Sequence, residues 1–251
     1  MIETPQSFVT QQECDKAAFQ NGFRRSHGEV EGWRCYSSTT AHGLIWLAYE
    51  AAGNWLLALD HIGVVEELGL TQVDAIGPGR VRVRLPSITD LYLTLPRVYE
   101  LAVSLPDAPY EEFVKQTKDM PKTTEAERLL VQRVGQNIFR ERLMKYWQGR
   151  CPLTGISDIA LLRASHIVPW SECSTDRDRL DVYNGLLLSA LWDAAFDRGL
   201  VSFDDEGQPI LSPALTSEAA AELQSHQSIA LNDKHRERLV WHRENRFVRV
   251  G

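Results

Sequence analysis

Four polar side chains in the second half of the chain have the types and spacing that a hydrolytic site needs. His166 lies in the apolar segment 159–168, and Asn184 stands directly before a run of leucines. Asp193 and Asp197 are four residues apart, so on a helix they would share one face and could contact the same divalent ion. Phosphodiester hydrolysis needs a base, a group that holds the base, and a cation. The four residues could supply all three.

Each residue type fits one of these roles. The ordinary pKa of histidine, near ~6.5, suits His166 to take a proton from water. Asn184 can orient the base, or the loop that carries it, by hydrogen bonding without adding charge. The carboxylates of Asp193 and Asp197 are hard oxygen ligands of the kind that magnesium prefers. Taken singly, these residues would be an ordinary structural histidine, a turn asparagine and a solvated helix face.

Local signals place the four residues on a small set of elements. Residues 159–168 have the length and apolar content of a strand, and Pro169 ends its pairing. Residues 185–188 predict a second strand that leads into a helix ending at Gly199. Further upstream, Thr124 and Glu127 have the spacing of a capping box at the start of a long helix.

The first part of the chain reads as a separate, sheet-containing domain. Short aromatic and branched segments predict strands at 33–40, 43–51, 54–61 and 80–95, a short helix at 61–70, and a second helix from Pro96 to Leu105. The fold class is therefore α+β. We expect a small α+β domain at 1–107, a linker rich in proline and charge at 108–123, and a second domain at 124–251.

Composition limits the other classes of protein. The 251 residues carry a net charge of −7 and are 43% hydrophobic, which suits a globular chain. The four cysteines form no C-x-x-C pair, so we expect reduced thiols and no structural zinc. No apolar run reaches the ~20 residues of a membrane span, and the first residues lack the pattern of a signal peptide. These features predict a cytoplasmic protein that needs no membrane.

A series of short motifs extends the set of polar residues. In order they are C-P-L-T-G at 151–155, S-H-I-V-P-W at 165–170, N-G-L-L-L at 184–188 and D-A-A-F-D-R-G-L-V-S-F at 193–203. Together with the segments 133–151 and 239–247, this series resembles the HNH endonucleases of the ββα-metal fold, in particular a restriction-associated branch. The resemblance covers residues 124 to 247.

The resemblance implies a role for each matching residue. His166 matches the general base, Asn184 the middle asparagine, and Asp193 the position of the last metal ligand, with Asp197 one helical turn further on. Ser165 stands where many relatives carry an acidic or histidine metal ligand, and Trp192 stands where many carry histidine. The implied cofactor is one divalent ion per site, Mg²⁺ or Mn²⁺ first and Ni²⁺ as a further option.

The implied substrate is double-stranded DNA, cut by a restriction enzyme, and recognition of a modified base by the first domain is one option that the sequence leaves open. Arginines can fork onto phosphate oxygens, which makes four of them candidates for DNA contact: Arg163, Arg177, Arg179 and Arg198. The candidates for base recognition in the first domain are Arg24, Arg25, Trp33 and Tyr36. We expect Trp192, Phe196 and Phe203 to pack the core instead.

Three points stay open at this level. One ββα site cuts one strand, so cutting both strands in one encounter would need a homodimer. The chain could instead be a DNA-binding protein that has lost its metal, as the residues at 165 and 192 would allow. It could also be an effector nuclease that an acidic first domain directs to a protein partner.

Overall fold

The computed structural model describes residues 1–121, 123–224 and 227–249. It divides into two compact units, Met1–Ala108 and Pro109–Gly251. Both contain helices and strands, so the α+β class is confirmed. Within the described ranges, no helix is long and apolar enough to cross a membrane.

The first unit is an antiparallel sheet with helices. Its elements are α1 (Phe8–Gln20), β1 (Arg25–Val30), β2 (Trp33–Ser37), β3 (Leu44–Tyr49), β4 (Trp55–Leu59), α2 (Ile62–Leu68), β5 (Val81–Leu85) and α3 (Ile88–Ser104). The strands pair in sequence order, each antiparallel to the next. Every residue of β4 is buried, so the middle of the sheet forms part of the core.

The prediction for residues 86–105 is wrong in its first half. Residues 88–95 are helical instead of extended, and Pro96 lies inside α3 instead of at its start. The Ser87 side chain accepts a hydrogen bond from the backbone N–H of Asp90 and so begins the helix early. Leu91, Leu95 and Val98 are buried at helical spacing. Their burial on one face outweighs the backbone hydrogen bond that proline cannot donate.

The second unit surrounds two short strands with helices. Its elements are α4 (Ala108–Thr117), α5 (Glu125–Tyr146), β6 (Leu162–His166), α6 (Asp176–Leu180), β7 (Gly185–Ser189), α7 (Ala190–Asp197), β8 (Val201–Phe203), β9 (Pro209–Leu211), α8 (Ser217–Glu222) and α9 (Asp233–Asn245). The capping box of Thr124 and Glu127 is present at the start of α5. All of α4 lies within the segment 108–123 that the sequence predicts to be a linker, and Glu112 on α4 pairs with Arg142 on α5.

The strands β6 and β7 and the helix α7 form the centre of this unit. β6 and β7 are antiparallel, with Leu162 opposite Ser189 and His166 opposite Gly185. α7 begins directly after β7, and all five residues of β7 are buried. Trp192, Phe196 and Phe203 are buried side chains of this core, as the sequence predicted. The order strand, strand, helix is the ββα arrangement.

Helix α9 is attached to this centre by a buried histidine. The His242 ring stacks on Phe196 at 4.0 Å between centroids. Its Nδ1 lies 3.0 Å from Ser202 Oγ, and its Nε2 donates to the carbonyl oxygen of Phe196 at 3.2 Å. Burial lowers the pKa of His242 to about 4. The ring is therefore neutral at pH 7 and fixes α9 against α7 and β8.

The buried histidine predicts a loss of stability in mild acid. Between the ordinary histidine pKa of ~6.5 and the folded value near 4, the unfolded chain binds a proton that the folded chain does not. The free energy of unfolding should therefore fall as pH drops through this range. His242→Gln, which cannot take up that proton, should lose less stability than the wild type between about pH 7 and about pH 5. Urea unfolding measures this, with His27→Gln on the surface as the control; equal losses in all three proteins would contradict it.

Candidate active site

Ser165 and His166, neighbouring residues of β6, contact two different helices. Successive residues of a strand point to opposite faces. Ser165 is buried and its hydroxyl donates to Asp193 Oδ1 on α7 at 2.5 Å. The ring of His166, the last residue of the strand, stacks on Phe139 of α5 at 3.8 Å between centroids. Ser165 is thus in contact with Asp193 on α7, whereas His166, the next residue, packs against α5.

A backbone carbonyl fixes the protonation of the His166 ring. Nε2 lies 2.9 Å from the carbonyl oxygen of Arg179. That oxygen can only accept, so Nε2 carries the hydrogen, and Nδ1 keeps a free lone pair whenever the ring is neutral. Burial lowers the pKa of His166, while the hydrogen bond to Arg179 opposes that shift. The ring is therefore a neutral proton acceptor at pH 7.

Asn184 acts on the loop that follows His166. Its Oδ1 accepts from the backbone N–H of Val168 at 2.9 Å, and its Nδ2 donates to the carbonyl of the same residue at 3.0 Å. The amide also reaches Cys173 Sγ and the carbonyl of Asp178, both at 3.3 Å. Of the two roles that the sequence left open for Asn184, these contacts support holding the loop.

Arg179 has a structural role that the sequence did not indicate. Its Nε donates to the carbonyl of Trp170 at 3.0 Å, and a terminal nitrogen donates to the carbonyl of Cys173 at 2.6 Å. The other terminal nitrogen pairs with Asp176 at 2.9 Å. Since the carbonyl of Arg179 itself holds His166, the side chain shapes the loop that presents this carbonyl. The spacing of 13 residues between His166 and Arg179 carries no sequence signal for the contact.

Two carboxylates and one hydroxyl are the candidate metal ligands. Loss of surrounding water, and then repulsion from Asp193, raise the pKa of Asp197, while Arg246 lowers it. A cation would relieve the repulsion between the two carboxylates. No group of three or more histidine, cysteine or acidic residues in the described ranges could hold a metal ion. The carboxylate and hydroxyl oxygens are hard donors, of the kind that divalent ions with several bound waters take from proteins.

Ser165 and Trp192, the two residues that differ from the family pattern, have different surroundings. The Ser165 hydroxyl holds the Asp193 carboxylate by its hydrogen bond. Trp192 is 2% exposed and its ring lies parallel to that of Phe203, so it belongs to the core and not to the metal ligands. A histidine is thus missing at 192, but both carboxylates remain available.

The other arginines proposed for DNA contact lie at the surface of the second unit or at its loops. Arg163 is exposed, and its guanidinium donates to the carbonyls of Ala160 and Leu162. The guanidinium of Arg177 lies 4.2 Å from the centroid of the Tyr110 ring. Arg198 is exposed at the end of α7, directly after Asp197.

The recognition candidates of the first unit divide by exposure. Arg24 and Arg25 are exposed, whereas Trp33 is 2% and Tyr36 is 0% exposed. The Tyr36 hydroxyl donates to Asp15 at 2.7 Å. The two aromatic rings therefore serve the core and offer no open face to a base.

A different part of the first unit has an aromatic pocket of about 620 Å³. Its lining is Val9, Thr10, Glu13, Tyr49, Trp55, Ile88, Thr89 and Tyr92. The rings of Tyr49 and Trp55 are 5.2 Å apart, and the Tyr92 hydroxyl donates to Glu13 Oε2 at 3.0 Å. The sequence carries no local signal for this pocket, because its lining residues come from separate helices and strands.

Comparison with known proteins adds a family to this geometry. Residues 151–204 match the family model described as HNH endonuclease. A search of curated proteins gave no match. The matched range contains His166, Asn184, Asp193 and Asp197 as well as the ββα arrangement that carries them. Residues 151–204 of this chain are therefore an HNH endonuclease domain.

Proposed function

We propose that the protein hydrolyses DNA with His166 as the general base and with the help of a divalent ion. An HNH endonuclease domain supports a DNA endonuclease in general. The observation that carries the finer proposal is the hydrogen bond from His166 Nε2 to the carbonyl of Arg179. It leaves Nδ1 unprotonated in a ring that burial keeps neutral.

The proposed mechanism assigns one task to each group. His166 Nδ1 takes a proton from a water molecule as the oxygen of that water attacks phosphorus in line with the leaving 3′ oxygen. Asn184 and Arg179 keep the loop, and so the base, in position. Asp193 and Asp197 would hold a divalent ion, whose charge stabilises the leaving oxygen. By donor type this ion is Mg²⁺ or Mn²⁺, with Ni²⁺ as a further option.

Ser165 acts through Asp193 in this proposal. A hydroxyl is a weak metal ligand, and this one already donates to Asp193 Oδ1. The hydrogen bond fixes the rotation of the carboxylate and leaves its remaining lone pairs for an ion. Ser165 is thus a positioning residue.

We also propose that the first unit reads a modified base, which would make the protein a modification-dependent restriction enzyme. The pocket lined by Tyr49, Tyr92 and Glu13, with the largely buried Trp55 in its wall, supports this assignment better than the core residues Trp33 and Tyr36 do. Aromatic faces can stack on a flipped base, and a carboxylate can accept from an exocyclic amino group. Because one ββα site cuts one strand, a homodimer would cut both.

Replacing His166 should abolish cleavage and keep DNA binding. His166→Gln keeps a donor for the carbonyl of Arg179 but has no basic nitrogen, so plasmid cleavage with Mg²⁺ or Mn²⁺ should fall by about 10²- to 10⁴-fold. His166→Ala should behave alike if it folds, and the surface variant His27→Ala is the matched control. DNA affinity in EDTA and the melting temperature of His166→Gln should stay near the wild-type values. Wild-type cutting by His166→Gln would refute the role of base.

The pH dependence of cleavage should follow the ring of His166. Since burial lowers the pKa of His166, the neutral and active form persists to a pH below the ordinary value of ~6.5. The value of kcat/KM should rise as pH increases through this folded pKa and should then level off at neutral pH. Cleavage rates measured at a constant metal concentration test this. A rise centred above neutral pH would contradict a base that is neutral and partly buried.

The pocket predicts a change in substrate choice without loss of chemistry. Glu13→Gln replaces an acceptor by an amide, and Tyr92→Phe removes the hydroxyl that holds Glu13. Both variants should change the ratio of cleavage between unmodified DNA and DNA with methylated, hydroxymethylated or glucosylated bases. The exposed Glu31 gives the control Glu31→Gln. If the wild type cuts all substrates equally, or if the pocket variants keep its ratio, the pocket does not read the base.

A further inference from the structure

A second cleft borders the candidate metal ligands in the second unit. It has a volume of about 560 Å³ and is lined by Asp197, Arg198, Leu200, Asn245 and Arg246. Asp197 is one of the two candidate metal ligands, and Arg198 follows it. Arg246 comes from the far end of the chain, directly after α9. The cleft therefore combines one acidic and two basic side chains beside the proposed site of cleavage.

Close backbone packing holds Arg246 at this place. The backbone N–H of Arg246 donates to the carbonyl of His242 at 2.9 Å, and that of Val248 donates to the carbonyl of Gly199 at 2.9 Å. A Cβ atom on Gly199 would lie 2.0 Å from the carbonyl oxygen of Arg246, and Gly199 has a φ of +67°. Only glycine permits this approach. The side chain of His242, whose backbone carbonyl accepts from Arg246, is itself held by Ser202 and by the carbonyl of Phe196.

The two arginines of the cleft differ from other arginines of this unit. Arg142 pairs with Glu112, Arg238 with Asp181 and Arg243 with Asp205. Among the residues that the structure describes, no carboxylate forms a salt bridge with Arg198 or Arg246. Both side chains are exposed. Two exposed guanidinium groups on one cleft favour an anion from outside the chain.

We propose that Arg246, together with Arg198, binds a backbone phosphate of the DNA strand that is cut, next to the phosphate under attack. The guanidinium group presents donors in a fork that matches two phosphate oxygens. Asp197 on the wall of the same cleft places this phosphate beside the metal ligands. The inference rests on the proposed hydrolysis of DNA, since it takes its ligand from the substrate of that reaction.

A simpler role for Arg246 would be electrostatic support of the carboxylates. Its positive charge lowers the pKa of Asp197 and so favours the ionised form that a metal needs. In that case Arg246 would affect cleavage but not DNA binding in the absence of metal. A phosphate contact releases counterions from the DNA and is therefore visible in the salt dependence of binding. Binding measured in EDTA separates the two roles.

The test compares Arg246→Gln and Arg246→Lys with the wild-type protein. A fluorescent DNA duplex is titrated in EDTA at several salt concentrations from roughly 50 to 200 mM. Arg246→Gln should bind more weakly and should reduce the slope of log K against log salt by about one. Arg246→Lys should keep most of the slope, since it retains the charge. Arg249→Gln is the matched control, because Arg249 is exposed three residues further on and donates to the carbonyl of Arg243.

The outcomes separate this inference from the proposed function. Weaker binding and a smaller slope for Arg246→Gln support the phosphate contact, even if the wild type cuts no DNA with any metal and the nuclease proposal fails. Unchanged affinity and slope overturn the inference, even if the wild type is an active nuclease. If Arg246→Gln loses cleavage but keeps its DNA affinity and salt slope, Arg246 acts by supporting the charge of Asp197. That result also overturns the inference of a phosphate contact. Binding of inorganic phosphate by calorimetry, with an unchanged DNA slope in Arg246→Gln, would indicate a free-phosphate site instead.

Discussion

The candidate site depends on one hydrogen bond, from His166 Nε2 to the backbone carbonyl of Arg179. This bond decides which nitrogen can accept a proton, and it requires the loop between β6 and β7 to hold one shape. Asn184 holds the start of that loop by two hydrogen bonds to Val168. The Arg179 side chain holds its middle through the carbonyls of Trp170 and Cys173. The side chains of Asn184 and Arg179 thus determine which nitrogen of His166 carries the hydrogen, although neither side chain is hydrogen-bonded to the His166 ring.

The second constraint is the placement of two carboxylates on α7, the helix that follows β7. Ser165 joins β6 to α7 through Asp193, and Asp197 follows one helical turn later. Burial, and then repulsion from the neighbouring Asp193 carboxylate, raise the pKa of Asp197. A divalent ion and Arg246 would each offset part of this negative charge, and a DNA phosphate would pair with Arg246. The packing of Gly199 against Arg246 connects the end of α7 with the turn after α9. The segment 239–247 stands out in the sequence only because it belongs to the motif series. This packing explains its structural role, which is to hold the turn after α9 against the end of α7.

The elements of the site could be predicted because their signals are local. The end of β6 at His166, shortly before Pro169, the capping of α5 by Thr124, and the helical spacing of Asp193 and Asp197 each depend on only a few neighbouring residues. The contact of His166 with Arg179 depends on how a loop closes, which no spacing rule describes. In the first unit, Trp33 and Tyr36 are candidates for base recognition because they are aromatic. Residue type alone does not show that both rings are buried in the core. Because proline is common at the start of a helix, the sequence predicts Pro96 as the first residue of α3. The helix in fact begins eight residues earlier, at Ile88.

The most direct test of this account is the protonation of the His166 ring, read by nitrogen NMR of the ¹⁵N-labelled protein across the neutral and mildly acidic range. His166→Gln identifies the signal by its absence. We expect a neutral ring at pH 7 with the hydrogen on Nε2 and none on Nδ1, and a midpoint of protonation below the ordinary histidine pKa. A hydrogen on Nδ1 in the neutral ring, or a charged ring at pH 7, would contradict the claim that the loop prepares His166 as the base.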